Sequence, residues 1–375
     1  MKEKIYLDNA ATTKLHPKVL EKMLPYLKEH YGNPSSIHSY GRKVRVAVEE
    51  SREVIADFIN ADPSEIYFTS GGTEANNFLI TGIAKTELSE SGKNHIITTK
   101  AEHKSVLETY KNLAQKNFTA KLITNKELDK LKKFVNANTS LVSTIHINNE
   151  TGKINNLEKI KEQISKPFFH VDATQSFGKI KIDVKQLGIH ALSASAHKIY
   201  GPKGIGIAYV KSRTPMNSLL FGGGQERNRR AGTENVPGII GFAEAVKIAK
   251  KNMTANFKQV IKLKNYFWDC LKESGINNIY TNSKINSSPY ILSITFDPHY
   301  YSNDPESTLM FLDINGISAS VGSACTSGTL KPSHVILAEG KSEEYAKGTI
   351  RFSFSPENTF EEIEYTTGIM KKLSG

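Results

Sequence analysis

Between residues 15 and 250 short β-rich runs alternate with amphipathic stretches, and that alternation limits the folds open to this chain more than any other feature. The runs are Glu65–Thr69, His95–Thr99, Leu141–His146, Phe168–Val171 and Gly206–Val210, with helix-like segments such as Arg45 to Ile59 and Leu157 to Ile164 between them. Strands separated by helices imply an open, mostly parallel sheet covered on both faces. Ligands of such sheets sit beyond the carboxyl ends of the strands, so polar residues at those ends are the candidates for chemistry. Pro237 to Lys251 reads as a helix leaving this domain, followed by a Lys- and Asn-rich stretch and a strand at Tyr290–Phe296. A large domain over 15–250 is therefore expected, with a smaller α+β domain built from 1–14 and 251–375.

The most telling strand end is Ser193-Ala194-Ser195-Ala196-His197-Lys198, which runs into the Gly/Pro loop Tyr200-Gly201-Pro202-Lys203-Gly204. It delivers an amine to a sheet edge where the backbone can approach closely. Some two dozen residues upstream Phe168-Phe169-His170-Val171-Asp172 ends another strand in a carboxylate. An amine that condenses with an aldehyde and a carboxylate for a pyridinium nitrogen are what pyridoxal phosphate requires.

Other strand ends add to that pair. Thr69-Ser70-Gly71-Gly72-Thr73-Glu74 passes from a strand through glycines into a helix pattern, offering backbone N–H groups and a hydroxyl to a phosphate. The same glycines also suit an ordinary turn, and no P-loop spacing occurs. His103, in Thr99-Lys100-Ala101-Glu102-His103, can stack on a flat ring or shuttle a proton, or be a polar residue with a local partner. Asn149, in His146-Ile147-Asn148-Asn149-Glu150, can orient an anionic oxygen or cap a turn. The loop Gly222-Gly223-Gly224-Gln225-Glu226-Arg227-Asn228-Arg229-Arg230 reads either as flexible and exposed or as an anion or subunit contact. Arg351, on the strand pattern Thr349–Ser353, suits a bidentate grip on a carboxylate or a surface ion pair.

There are two cysteines. Cys270 lies in the apolar run Trp268-Asp269-Cys270-Leu271, whereas Cys325 lies among small and polar residues, Gly322-Ser323-Ala324-Cys325-Thr326-Ser327-Gly328, the composition of an exposed, mobile loop. A thiol there titrates near about 8.5 and needs only a modest shift to act as a nucleophile. Two distant cysteines make neither a disulfide framework nor a zinc site, and no His-Glu-x-x-His or acidic ligand spacing points to a metal. The formal charge of +11, from 49 Lys and Arg against 38 Asp and Glu, allows a basic binding module in principle. The lysines are interspersed with acidic residues instead of forming a block with aromatics, which argues against stable nucleic-acid binding. The amino terminus lacks the apolar core of a signal peptide and no run is long enough to span a bilayer, so a reducing cytoplasm is the expected setting.

Taken together, these motifs resemble the cysteine desulfurases of the class V aminotransferase superfamily, pyridoxal phosphate fold type I. The likeness runs from Tyr6-Leu7-Asp8-Asn9-Ala10-Ala11-Thr12-Thr13 and Gly32-Asn33-Pro34-Ser35-Ser36 through Ser195-Ala196-His197-Lys198 to Ile350-Arg351-Phe352-Ser353. The Gly322–Ser327 segment resembles the type whose catalytic cysteine rides a long loop. The resemblance implies a seven-stranded, mostly parallel sheet flanked by helices, plus a smaller α+β domain. It implies that Lys198 carries pyridoxal 5'-phosphate covalently, that Asp172 pairs with the ring nitrogen, that His103 stacks on the ring, and that Gln175 bonds the phenolic oxygen. Gly72, Thr73, Ser195 and His197 take the phosphate, with Thr233 supplied by a partner subunit. Arg351 and Asn149, with Asn33, hold the substrate carboxylate, and Cys325 takes sulfur from L-cysteine to leave L-alanine. A homodimer and a sulfur acceptor are implied, either an iron–sulfur scaffold or a thiolation relay. Selenocysteine lyase and class V aminotransferase are the nearest alternatives. Gln225 stands where many relatives carry His, and the chain stops soon after a last helix around Tyr365 to Leu373, so relatives that dock a scaffold through a longer tail are poor guides to partners.

Overall fold

The computed structural model describes residues 4–284, 286–302, 304–322 and 331–373. Its contacts divide the chain into two compact units, one of Thr13–His146 with Asn155–Met253, the other of Met1–Thr12, Ile147–Ile154 and Thr254–Gly375.

The first unit is built on a seven-stranded sheet. Its strands lie in the order Ile66–Thr69, Gly206–Val210, Ala191–Ser195, Phe168–Asp172, Thr139–Ile145, His95–Thr99, Thr119–Ile123. All run in one direction except Gly206–Val210, which is antiparallel to both neighbours. The strand sequences explain why both faces are covered. Side chains alternate across a sheet, and here both sets are apolar. Ile97, Val142, Phe169, Val171, Leu192 and Ile207 join one core with Val48 and Ile55 of the helix Ser39–Phe58 and with Phe242 and Val246 of the helix Val236–Glu273. Ile96, Leu141, Ala191 and Ala208 face the other core with Phe78, Leu79 and Ile83 of the helix Gly72–Ser91 and Val106 and Tyr110 of the helix Lys104–Ala114. With Ile66–Thr69 parallel to the majority, its carboxyl end shares an edge with those of Phe168–Asp172 and Ala191–Ser195.

In the other unit a four-stranded antiparallel sheet has the order Ser320–Val321, Thr349–Ser353, Ile291–Phe296, Ile279–Thr281. Ile5–Tyr6 and Ile317–Ser318 pair as a separate parallel ladder. One expectation needs correcting. The helix foreseen over Pro237 to Lys251 continues to Glu273. Its lysines are exposed except for Lys264, which is buried and donates to Ser287 Oγ and the Ser288 carbonyl, while Val260, Leu263, Phe267 and Leu271 form a stripe at helical spacing that enters the core with Leu292, Ile294, Phe352 and Met370. Lysine is a good helix former, so a Lys-rich stretch is no signal of a helix end.

Candidate active site

Asp172 closes its strand at 2% exposure, and both carboxylate oxygens are held: Asn76 Nδ2 donates to Oδ2 at 2.8 Å and the Thr174 N–H donates to Oδ1 at 2.9 Å. Asn76 is itself fixed, because its Nδ2 also donates to Ser105 Oγ and its Oδ1 accepts from Ser193 Oγ. Ser193 pairs with Asp172 in the sheet, so the carboxylate and the Lys198 turn come from adjacent strands. Asn76 escaped the sequence reading, although a polar residue among the apolar core positions Ala75, Phe78 and Leu79 of a helix is a signal of buried polar work.

The strand Ala191–Ser195 leads directly into a single 3-10 turn, Ala196–Lys198. Ser195 is buried and His197 and Lys198 are half-buried. Burial, and then the neighbouring ammonium groups of Lys198, Lys203 and Lys179, lower the His197 pKa to about 4. His197 is therefore a neutral imidazole at ordinary pH, a hydrogen-bond partner and not a counter-ion.

On the same edge the strand Ile66–Thr69 turns through Gly71, at φ 153°, into the helix Gly72–Ser91. A Cβ on Gly72 would stand 2.8 Å from Thr174 Oγ1 and 3.8 Å from Ser195 Cβ, so only glycine lets these hydroxyl residues close on the helix N-terminus. Gly206 is under the same constraint, since its Cβ would lie 2.7 Å from Gly71 Cα. Thr73 remains exposed at this end. Backbone N–H groups, hydroxyls and a helix N-terminus together make an anion cradle.

His103 is exposed and caps the helix Lys104–Ala114, its Nδ1 accepting the Ser105 N–H at 3.1 Å. An accepting Nδ1 puts the proton of the neutral ring on Nε2. Gln175 is buried, and its Oε1 accepts from Lys179 Nζ at 3.1 Å, which leaves the amide nitrogen as the donating end. Thr233 is exposed and lines a cavity with Ser70, Gly204 and Arg230. Asn33 is exposed and its Oδ1 accepts the Ser35 N–H, a local turn.

Two further predicted residues meet in the other unit. Arg351, 7% exposed, donates from Nη2 to Asp8 Oδ1 at 2.7 Å and from Nη1 to the Asn149 carbonyl at 3.0 Å. Its Nε and Asn149 Oδ1 are buried without a hydrogen-bond partner among the described residues. A buried orphan donor on a guanidinium fits an arriving carboxylate. Asp8, which the sequence reading quoted only as part of a motif, holds the guanidinium in place. Next to Asn149, the Glu150 carboxylate accepts from Ser333 Oγ and lies against Gly322. Cys325 lies outside the described residues.

In the Gly222–Arg230 loop Gly222, Gly223 and Gly224 are exposed, while the charged residues that follow are engaged within the chain. Glu226 is buried and accepts from Arg52 Nη1 and Nη2, both at 2.8 Å, and from the Phe68 N–H at 2.8 Å. Arg230 is spent on Glu74 at 2.7 and 3.0 Å, and Arg229 on the Met216 carbonyl. Its guanidinium groups serve the chain's own architecture. Among the described residues no cluster of His, Cys, Asp and Glu is placed to hold a metal ion.

Beneath the site the unit buries several imidazoles. His170 and His146 have pKa values lowered to about 4 by burial, and His190 to about 4 by burial and the charges of Lys161 and Lys211, alongside His197. In the unfolded chain these rings titrate near about 6.5. Between pH 6.5 and 4 the unfolded state thus binds more protons, and stability falls as pH falls. Glu102, fully buried with its pKa raised by burial, acts in the opposite sense. Four imidazoles outweigh one carboxyl, so the urea midpoint of the cofactor-free protein is expected to drop between pH 6.5 and 4. A midpoint constant over that window would contradict buried neutral imidazoles.

The chain is similar to known proteins along almost its whole length. The family described as Aminotransferase class-V matches residues 5–366. A cysteine desulfurase IscS of Dictyoglomus turgidum is 43% identical, the match covering all of this chain and 95% of the relative. Among solved structures, a NifS-like protein superposes with a TM-score of 0.90 at 36% identity, covering 99% of each chain. The structure described as SspA in complex with cysteine gives a TM-score of 0.80 at 34% identity, covering 95% of this chain and 100% of the other.

Proposed function

The chain belongs to the class-V aminotransferase family and is a cysteine desulfurase, and we propose that Lys198 holds its pyridoxal phosphate covalently while Cys325 receives the sulfur. The observation that carries this division of work is the oriented, buried Asp172 carboxylate on the strand next to the one that delivers Lys198.

When bound, pyridoxal phosphate supplies a conjugated ring that draws electrons from the substrate α-carbon and returns them. The residues present fit that group. Asp172, pinned by Asn76 and the Thr174 N–H, presents an acceptor that keeps the ring nitrogen protonated. Gly72, Thr73, Ser195 and His197 take the phosphate, and Thr233 of a second copy completes the site. His103 stacks on the ring and keeps its proton on Nε2. Gln175 donates from its amide nitrogen to the phenolic oxygen. Arg351 Nε and Asn149 grip the carboxylate of L-cysteine, and Asn33 is a further substrate-binding residue.

The Lys198 amine would hold the cofactor and would also serve as the base for the substrate α-proton. Cys325, as thiolate, forms an S–S bond to the substrate sulfur while the C–S bond breaks. The electron pair freed at carbon is protonated to give the methyl group of L-alanine. L-cysteine plus thiol thus becomes L-alanine plus protein persulfide, and no outside oxidant is needed. The persulfide sulfur then passes to an acceptor protein of iron–sulfur or thiolation chemistry. A second copy of the chain is consistent with the exposed apolar residues Leu20, Leu24 and Leu27 on the helix Pro17–Lys28.

Intact-mass and peptide analysis after L-cysteine, without reductant or acceptor, tests the reading. One added sulfur on the Cys325 peptide with alanine released is expected, and Cys325→Ser should abolish the persulfide. Alanine without sulfur on Cys325 would indicate a lyase that frees sulfur directly. A bound cofactor with no alanine released would overturn desulfuration.

A further inference from the structure

A short piece of the amino-terminal segment reaches the Lys198 turn and binds it on both sides. The Thr13 N–H and the Thr13 hydroxyl both donate to the His197 carbonyl, each at 3.0 Å. The same hydroxyl accepts the Tyr200 N–H at 2.7 Å. Three residues on, the His16 N–H donates to the Tyr200 carbonyl at 3.0 Å. Lys198 and Ile199 are therefore enclosed between two peptide groups held by one threonine.

The turn has reason to need this hold. Tyr200 sits at φ 65°, a left-handed conformation that a residue with a bulky side chain adopts only under constraint. Gly201 follows with no room for a Cβ, which would lie 2.8 Å from the Ala196 side chain. Thr13 is 4% exposed, so water has little access to replace its hydroxyl. That hydroxyl is used as donor and acceptor at once, a pairing that serine reproduces and valine, of nearly the same shape, does not.

We propose that Thr13 is a positioning residue for Lys198, its hydroxyl setting where the amine stands relative to the cofactor aldehyde. The inference rests on the reading of Lys198 as the covalent lysine. It concerns an orientation and not a contact with substrate, so its effect belongs in the rates of steps that use the amine.

The test compares Thr13→Val and Thr13→Ser with the unaltered enzyme. Cofactor-free protein is mixed with pyridoxal phosphate, and attachment is quenched at intervals by borohydride and located by peptide mapping. Thr13→Val should slow attachment at Lys198 and lower kcat by about 10- to 100-fold, the range expected of a misplaced reacting group. KM should change less than about twofold, and the pH midpoint of the visible absorption of bound cofactor should move. Thr13→Ser should behave as the unaltered enzyme in all four readouts. Should Thr13→Val not fold, as judged by thermal melting, Thr13→Ala removes the same hydroxyl without placing a methyl group against polar atoms. Normal attachment, kcat and pH midpoint in the hydroxyl-free variants would overturn the proposal, as would Thr13→Ser failing equally. Label absent from Lys198 in the unaltered enzyme would instead overturn the lysine assignment and the proposal with it, a separate and recognisable result.

Discussion

Lys198→Ala is expected to lower turnover of L-cysteine by about 10⁴-fold or more and to abolish borohydride-fixed cofactor, with fold and thermal stability little changed. The size follows from the two tasks proposed for one amine, covalent attachment and α-proton removal, and groups that act as a unit lose nearly everything when one is deleted. The site holds no ready substitute. Lys179 is buried, but its ammonium already donates to Gln175 Oε1 at 3.1 Å. His103 has its Nδ1 committed to a helix cap. Lys198→Arg keeps the positive charge without a condensing amine and should fail in the same way, which separates covalent chemistry from electrostatics. Cofactor retained covalently in Lys198→Ala, mapped by peptide analysis to another lysine, would sink the assignment.

Arg52→Ala is expected to give the largest loss of stability. The Arg52 and Glu226 side chains are both almost wholly buried, at 4% and 3% exposure, and joined by two 2.8 Å bonds. Removing one partner leaves a carboxylate among Phe68, Ile66 and the sheet edge, a change that costs about 3–5 kcal/mol. In a unit of this size that lowers the Tm by roughly 6–20 °C. Glu226, Arg227 and Asn228 follow one another at φ 45°, 55° and 62°, a run of left-handed residues that the ion pair helps to hold. The double variant Arg52→Met with Glu226→Gln should recover much of the loss, since no charge is then stranded. A Tm for Arg52→Ala within 2 °C (about 1 kcal/mol or less) of the unaltered protein would contradict a buried, dry pair.

What could be read in advance follows from distance along the chain. His95–Thr99 and Gly206–Val210 were visible as strands because each is a short run rich in β-branched or apolar residues, a property of neighbouring residues. The insertion of Gly206–Val210, reversed, between Ile66–Thr69 and Ala191–Ser195 was not, because it depends on pairing between remote segments. Lys198 and Asp172 stood out as charged residues ending apolar strands. Asn76 and Thr13 did not, since what gives each its work is a partner far along the chain, Asp172 for one and the His197 peptide for the other. The charged loop around Glu226 misled for the opposite reason: guanidinium groups look available until their carboxylates, Glu74 among them, are located. Helix length past Lys251 was lost behind lysines whose apolar neighbours face a core the local pattern alone does not reveal.

The antiparallel strand has a consequence for how the protein is made. As the chain leaves the ribosome, Ile66–Thr69 and the glycines after it are synthesised early, yet their sheet neighbour is Gly206–Val210. Until that strand arrives, Gly71 has no Gly206 backbone against it and the helix N-terminus is not seated on the sheet. A nascent chain ending before residue 206 already contains Gly72, Thr73, His103 and Asp172 and still lacks the strand against which the proposed phosphate cradle packs. Non-local pairing of this kind forms late in folding. If this turn takes the phosphate as proposed, cofactor capture is expected to be a closing event in biosynthesis, and the yellow colour of bound pyridoxal phosphate would mark molecules whose sheet is complete.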